Sequence, residues 1–163
     1  MTEHLGPAER FAVGAIGEPG ERTFYLHVVA NAVSYWFIAE KGQIAALADY
    51  ALTALAQANI LPDPDGMNLI LTRLTLGEPD EVRFRVGAMS MAVQPESDLM
   101  TLELVSVDGA EAFDFVIAPE QLQAAAIKGF EVVDKGRPIC PRCQLPMGPG
   151  DHQCPASNGH HAG

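Results

Sequence analysis

At 163 residues, 48% hydrophobic and 19% charged, the chain is long enough to bury a core and too apolar to stay disordered. Its formal charge of −11 opposes the counterion-releasing attraction that drives nucleic-acid binding. No apolar run reaches the roughly 18–20 residues that span a bilayer, and the acid-bearing start Met1-Thr2-Glu3-His4 does not read as a secretory signal; a soluble, cytoplasmic protein with no membrane association is expected.

Charge divides the chain. Residues 1–134 hold 7 Lys/Arg against 20 Asp/Glu, whereas residues 135–163 hold Lys135, Arg137 and Arg142 against Asp151. An acidic body, 1–134, is therefore followed by a mildly basic C-terminal module, 135–163. Three cations are a thin footprint for phosphate, so nucleic acid is not an expected partner.

In chain order, residues 10–17 predict a strand, and Gly17-Glu18-Pro19-Gly20 a turn, because Pro presets φ and Gly accepts positive φ. Phe24, Leu26 and Val28 alternate along a strand from Thr23 to Val29, with His27 on the opposite face. Residues 33–39 are β-prone and apolar on both faces, as in a strand covered on both sides. Ile44, Leu47, Ala48, Ala51, Leu52 and Leu55 follow helical spacing over 43–58. Leu61 to Gly66 reads as a loop; its Asp63-x-Asp65-Gly66 fragment lacks the other ligands of a calcium loop and is taken as a plain turn. Met67–Leu76 predicts a connecting strand. Val82, Phe84, Val86 and Ala88 share one face of the next strand, and Leu99–Val107 and Ala112–Ala118 form a hairpin across Asp108-Gly109. Pro119 and Glu120 open a helix whose face is Leu122, Ala126, Phe130 and Val133, ending near Asp134 before Gly136 and Pro138.

Two segments look alike. Phe11-Ala-Val13-Gly14 recurs as Phe84-Arg-Val86-Gly87, and Phe37 to Ala48 resembles Val116 to Ala126 at an offset of 78–79. The fold class expected is α+β: a duplicated β-β-β-α body, copies 10–58 and 82–134, with a mostly antiparallel sheet, followed by a small zinc knuckle or ribbon.

The tail carries the clearest chemistry. All three cysteines cluster there, as Cys140-Pro-Arg-Cys143 and, further on, His152-Gln-Cys154-Pro155. Clustered thiols in a chain with no secretory signal point to metal rather than a disulfide framework. Cys-x2-Cys aims two thiolates at one ion from a tight turn, and the second pair completes a tetrahedral set. So short a Pro/Gly-rich segment cannot bury a core, and metal binding would supply its folding free energy, on the order of 10 kcal/mol. Cys140, Cys143, His152 and Cys154 are the expected ligands of one structural Zn2+, with His160, His161 and Asp151 as alternatives at the fourth position. Three thiolates and one imidazole also suit iron, but zinc is the commoner occupant. A closed four-ligand site leaves no open position for catalysis.

Phe11-x-Val13-Gly14-x-x-Gly17-x-Pro19-Gly20-x-Arg22-Thr23-Phe24, Phe84-Arg-Val-Gly-Ala-Met-Ser-Met91 and the tail series Gly136-Arg-Pro, Cys140-Pro-x-Cys143, Leu-Pro-Met, His152-x-Cys154-Pro and Asn158-Gly159 resemble an uncharacterised bacterial family, domain of unknown function 3090. The resemblance spans nearly the whole chain. It departs at Asp151, Ala156 and His160, where the family usually has Gly, Arg and an aromatic; none of these removes a proposed ligand. The family implies the same architecture and zinc-bearing tail, and no particular reaction.

No phosphate loop, dinucleotide fingerprint, nucleophile elbow or zinc-protease motif occurs. His27 reads as a sheet histidine with a hydrogen-bond partner rather than a general base. Arg22 and Thr23 follow the turn as a hairpin end, although an anion could be held there. Glu96 and Asp98 are unpaired loop acids, and Met89-Ser-Met91 reads as core or interface. The leading expectation is a non-catalytic interaction or adaptor protein with a protein or small-ligand partner. The alternative is a small-metabolite enzyme or ligand-binding protein whose site lies between the two copies, with Arg22, His27 and Arg85 converging. Elemental analysis of the purified protein is expected to give one zinc per chain, lost in Cys140→Ala and in His152→Ala; retention by the histidine variant would move the fourth ligand to His160 or His161.

Overall fold

A computed structural model describes residues 2–18, 20–94 and 96–135. Seven strands form one sheet: β1 (Thr2–Pro7), β2 (Arg10–Ile16), β3 (Thr23–Ala30), β4 (Val33–Ala39), β5 (Val82–Val93), β6 (Met100–Ser106) and β7 (Ala112–Ile117). Three helices accompany it, α1 (Lys41–Gln57), α2 (Pro64–Leu71) and α3 (Pro119–Lys135). The fold is α+β. The four expected metal ligands lie outside the described residues.

The strand order is β1-β7-β6-β5-β4-β3-β2, so the first two strands in sequence occupy opposite ends of the sheet. Only Ala8 and Glu9 separate them. A chain advances at most about 3.6 Å per residue, so the ends must come together and the sheet must curl. Successive amides make the join: Ala8 N–H donates to the Val116 carbonyl on β7 (2.8 Å) and Glu9 N–H to the Val29 carbonyl on β3 (2.7 Å). Ring contacts across the interior confirm the curl. Phe11 on β2 and Phe115 on β7 are five strands apart in the order, about 24 Å in a flat sheet at ~4.8 Å per strand, yet their ring centroids are 5.6 Å apart. Phe113 on β7 meets Phe37 on β4 at 5.5 Å and Phe84 on β5 at 5.7 Å. Each buried ring contributes about 1.5–3 kcal/mol by leaving water.

The sheet is mixed, a correction to the mostly antiparallel expectation. β1 runs parallel to β7 and β4 parallel to β5; the other four neighbours are antiparallel. β5 changes partner midway. Residues Val82 to Arg85 lie along β4, and Val86 to Val93 lie along β6. Gly87 marks the change as an extra residue in the β5–β6 register. There a Cβ would sit 2.7 Å from Val107 Cα and 2.9 Å from the Ser106 carbonyl oxygen.

α1 and α3 cover the concave side, whereas Met67, Ile70 and Leu71 of α2 pack in a separate cluster around Ala12, Leu74 and Ala124. Ile44, Leu47, Ala48, Ala51 and Leu55 of α1 and Leu122, Ala125, Ala126 and Val133 of α3 are buried in the same core as the rings. Gly129, not Phe130, occupies the packed stripe of α3: a Cβ there would stand 3.3–3.6 Å from Ala48, Ile44 and Val13, whereas Phe130 is partly exposed. One device fastens each helix. Gln43 accepts from Glu40 N–H (2.8 Å) and donates to the Val86 carbonyl (3.0 Å). Gln121 accepts from Ala118 N–H (2.9 Å) and donates to the Ala8 carbonyl (2.9 Å). By contrast, the look-alikes Phe11 and Phe84 hold different places, Phe11 opposite Val28 in an antiparallel pair and Phe84 opposite Phe37 in a parallel one.

Two further expectations change. Met67–Leu76 is not a strand: Pro64 sits in the first turn of α2, and the Asp63 carboxylate caps it by accepting from Gly66 N–H (2.9 Å). Asp63 is thus a helix cap rather than part of a plain turn. Thr2–Pro7, with Leu5 alone buried, is a strand that the sequence pattern does not announce.

Gly87→Ala should lower stability by about 1–3 kcal/mol, because its Cβ meets backbone that cannot move aside. Gly42→Ala, in α1 with nothing within 4 Å, should raise it by about 0.5–1 kcal/mol. Denaturant midpoints of the two variants should therefore move in opposite directions.

Candidate functional site

A cleft of about 470 Å³ opens where β2, the segment after α2 and α3 come together. Val13 to Gly17 form one wall, Leu74, Thr75 and Leu76 a second, and Lys128 and Val132 of α3 the third, with Arg22 at the hairpin end. Glycines shape it. A Cβ on Gly14 would lie 2.6 Å from Leu76 Cδ1, so Leu76 rests directly on the strand backbone. At Gly17, φ is +113° and a Cβ would meet the Glu21 carbonyl oxygen at 2.8 Å. That fold-back carries Arg22 to the cleft, where its guanidinium stands 4.9 Å from the centroid of the Phe24 ring.

The cleft departs from the charge of the rest of the protein. Its two charged lining side chains, Arg22 and Lys128, are cations, and none of the lining side chains is acidic. Lys128 is mostly covered and reaches Glu131, three residues along α3, at 3.6 Å. Val13, Ile16, Leu74, Leu76 and Val132 supply apolar lining, and Thr75 and the glycine backbone supply polar lining beside them. Its volume lies in the range of small-molecule sites, roughly 300–1,000 Å³.

His27 belongs to a different cluster, on the other face of β3. Arg10 Nε–H donates to His27 Nδ1 (3.3 Å), and His27 Nε2 lies 2.8 Å from Ser34 Oγ. The ring stacks on Trp36 at 4.0 Å and 12°. A guanidinium only donates, so Nδ1 accepts and Nε2 carries the proton that Ser34 receives. Burial, then the Arg10 charge, lowers the His27 pKa from 6.5 to about 4. This reverses the polarity of a Ser-His-acid arrangement, in which a carboxylate holds the far nitrogen and the near one is bare. Neutral His27, with its proton facing Ser34, cannot take the hydroxyl proton. Arg10 is itself fixed through the Arg73 and Thr75 carbonyls, tying β2 to the segment after α2.

The expected convergence of Arg22, His27 and Arg85 does not occur. Arg22 lines the cleft, His27 lies under Arg10 and Trp36, and Arg85 pairs with Glu40 at 3.6 Å. Glu96 and Asp98 sit at positive φ in the β5–β6 loop. Met89 and Met91 border a second cleft, about 360 Å³, with Ala46, Leu47 and Tyr50 of α1. Among the described residues no group of three His, Cys, Asp or Glu side chains could hold a metal, and no helix is long and apolar enough to cross a membrane. Arg10, Ser34 and Lys128 were not singled out by sequence reasoning; Lys128 is one cation on an amphipathic helix, with nothing local to mark it.

The family described as "Protein of unknown function (DUF3090)" matches residues 4–154. The chain belongs to that family. The match begins at His4 within β1, takes in the rest of the curled sheet and continues through Cys154. No curated protein and no solved structure matches.

Because the His27 pKa is lower folded than unfolded, the unfolded chain binds more protons between about pH 6.5 and 4. The stability contributed by neutral His27 is complete above pH 6.5 and is lost as pH falls toward 4. Denaturant melts across this interval should show a steeper loss for the native chain than for His27→Gln, and an NMR titration should place the His27 midpoint near 4.

Proposed function

We propose that the protein is a non-catalytic binding protein that holds a small organic anion, a carboxylate or phosphate on an apolar frame, in the cleft between β2 and α3. One observation carries this reading: in a chain of net charge −11, the cleft is lined by Arg22 and Lys128 with no acidic side chain. Two cations lining one cleft suit a compact anionic head, and the apolar part of the lining suits the rest of the molecule. The unreactive state of His27 supports binding over catalysis. We also read the body as a duplication, supported by the matched roles of Gln43 and Gln121. In that reading the anion lies between the two copies. The tail would hold one structural zinc through Cys140, Cys143, His152 and Cys154 and serve as the interaction module.

Inorganic phosphate and phenylacetate serve as probes of the head group and of the apolar frame. Phenylacetate is expected to bind the more tightly and to shift the amide resonances of Gly14, Gly17 and Val132. Arg22→Ala and Lys128→Ala should each weaken it about tenfold or more, since a charge-assisted hydrogen bond is worth about 1.5–3 kcal/mol. If neither probe moves those resonances at about 10 mM, weaker than any useful affinity, the cleft is not an anion site.

A further inference from the structure

Beyond Arg85, β5 leaves β4 and runs on to Val93 with β6 along one edge only. Among the described residues no strand borders its other edge. Gln94 N–H donates to the Leu99 carbonyl, which fixes the phase of the antiparallel ladder. Ala88, Ser90 and Ala92 turn their backbone groups to β6, and Met89, Met91 and Val93 turn theirs to the open edge.

Exposed edges are usually guarded by charge, proline or a covering element. Residues 87–93 read Gly-Ala-Met-Ser-Met-Ala-Val, with neither charge nor proline, and Ala88, Ser90, Ala92 and Val93 are exposed. The corresponding edge of β2 is covered by α3, which packs along it. On β5 the helix stands off, and the cleft of about 360 Å³ separates Tyr50 of α1 from Met89 and Met91.

We propose that this edge pairs with the same edge of a second copy of the chain, antiparallel, about a two-fold axis through Ser90. The sequence is self-complementary about that point. Met89 then faces Met91 of the partner subunit, and Ala88 faces Ala92 of the partner subunit. The methionine pairs carry the outward backbone groups, so the hydrogen-bonded rings form there, while Ser90 and Ser90 of the partner subunit make a non-hydrogen-bonded pair with Cα atoms about 4.5 Å apart. Met89 and Met91 of the partner subunit lie on the inner face, where the cleft beside Tyr50 receives them.

The self-complementary run Ala88-Met89-Ser90-Met91-Ala92 selects this occupant, and charge does not bar it. Two bodies of −11 repel, but no charged residues face each other in the ladder. The nearest acid, Glu103, lies opposite Ser90 on β6. It would stand three strand spacings, about 14 Å, from Glu103 of the partner subunit, outside the ~8 Å screening length at physiological salt. An isologous contact of this kind closes at two copies and leaves no edge to propagate.

Sedimentation equilibrium of the full chain should give a dimer at micromolar concentration. Met91→Pro removes an N–H aimed at the open edge and none that serves β6. It should raise the dimer Kd about 100-fold or more with the far-UV circular dichroism unchanged. Ser90→Cys should give an intermolecular disulfide at position 90, mapped by peptide mass spectrometry, because the axial spacing lies within the 4.4–6.8 Å Cα range of disulfides. Three results would overturn the proposal. They are a monomer at about 100 µM, a dimer that neither weakens in Met91→Pro nor cross-links in Ser90→Cys, and a monomer whose Met89 and Met91 amides resist exchange. The last would give the edge to another segment of the same chain.

Discussion

The architecture turns on the two peptide units at Ala8 and Glu9. One amide reaches β7 and the next reaches β3, so a single stretch of chain belongs to both ends of the sheet. Once those ends are joined, the inner faces of β2, β4, β5 and β7 look at one another and their rings interlock. The bend is held from several sides. Gln121 takes the Ala8 carbonyl, Asn31 reaches the Leu5 carbonyl, and the Glu9 carboxylate accepts from Ala32 N–H. The last two come from a tight β3–β4 turn in which Asn31 and Ala32 both adopt positive φ.

Much of the local structure could be read in advance, because it depends on neighbours in sequence. The α1 stripe from Ile44 to Leu55, the alternation of Phe24, Leu26 and Val28, the Asp108-Gly109 turn and the helix start at Pro119 all stand in the structure. Gly109 takes φ +75°, and Asp108 accepts from the Ser106 hydroxyl and Ala110 N–H, which together hold its carboxyl below the usual range. What escaped was set by distant partners. β1 has only Leu5 facing the core, so no period shows, and the curl that buries Leu5 is invisible locally. In α2, apolar Met67 to Leu71 resembled a strand, although Asp63 and Pro64 carried the helix-start signal. The candidate site was half legible: Arg22 follows a recognisable turn, while Lys128 meets it only through the packing of α3 on β2.

The two cleft-forming junctions are alike in plan and opposite in chemistry. Gln43 and Gln121 each fasten a helix to a sheet backbone carbonyl, Val86 in β5 and Ala8 in the bend between β1 and β2. Yet α3, with Gly129 against Val13, packs closely along β2 and leaves a cationic opening at the strand end, whereas α1, tied to β5 at Val86, leaves a mostly apolar cleft beside Met89 and Met91. The first suits a dissolved anion and the second suits the edge of another protein chain. His27 stays neutral and buried beside Arg10, contributing to how β2, β3 and β4 hold together rather than to chemistry at either opening.

The bent first strand also sets an order of assembly. β1 pairs with β7, and the His4–Asp114 contact spans 110 residues. On a ribosome adding about 5–20 residues per second, β1 would wait on the order of 5–20 s for its partner strand. In the interval β2, β3 and β4 can form their local antiparallel ladders, but the interior stays open and Phe11 has no Phe115 to meet. Closure is thus among the least local events, of the kind that slows folding. β1 is the latch of the finished molecule.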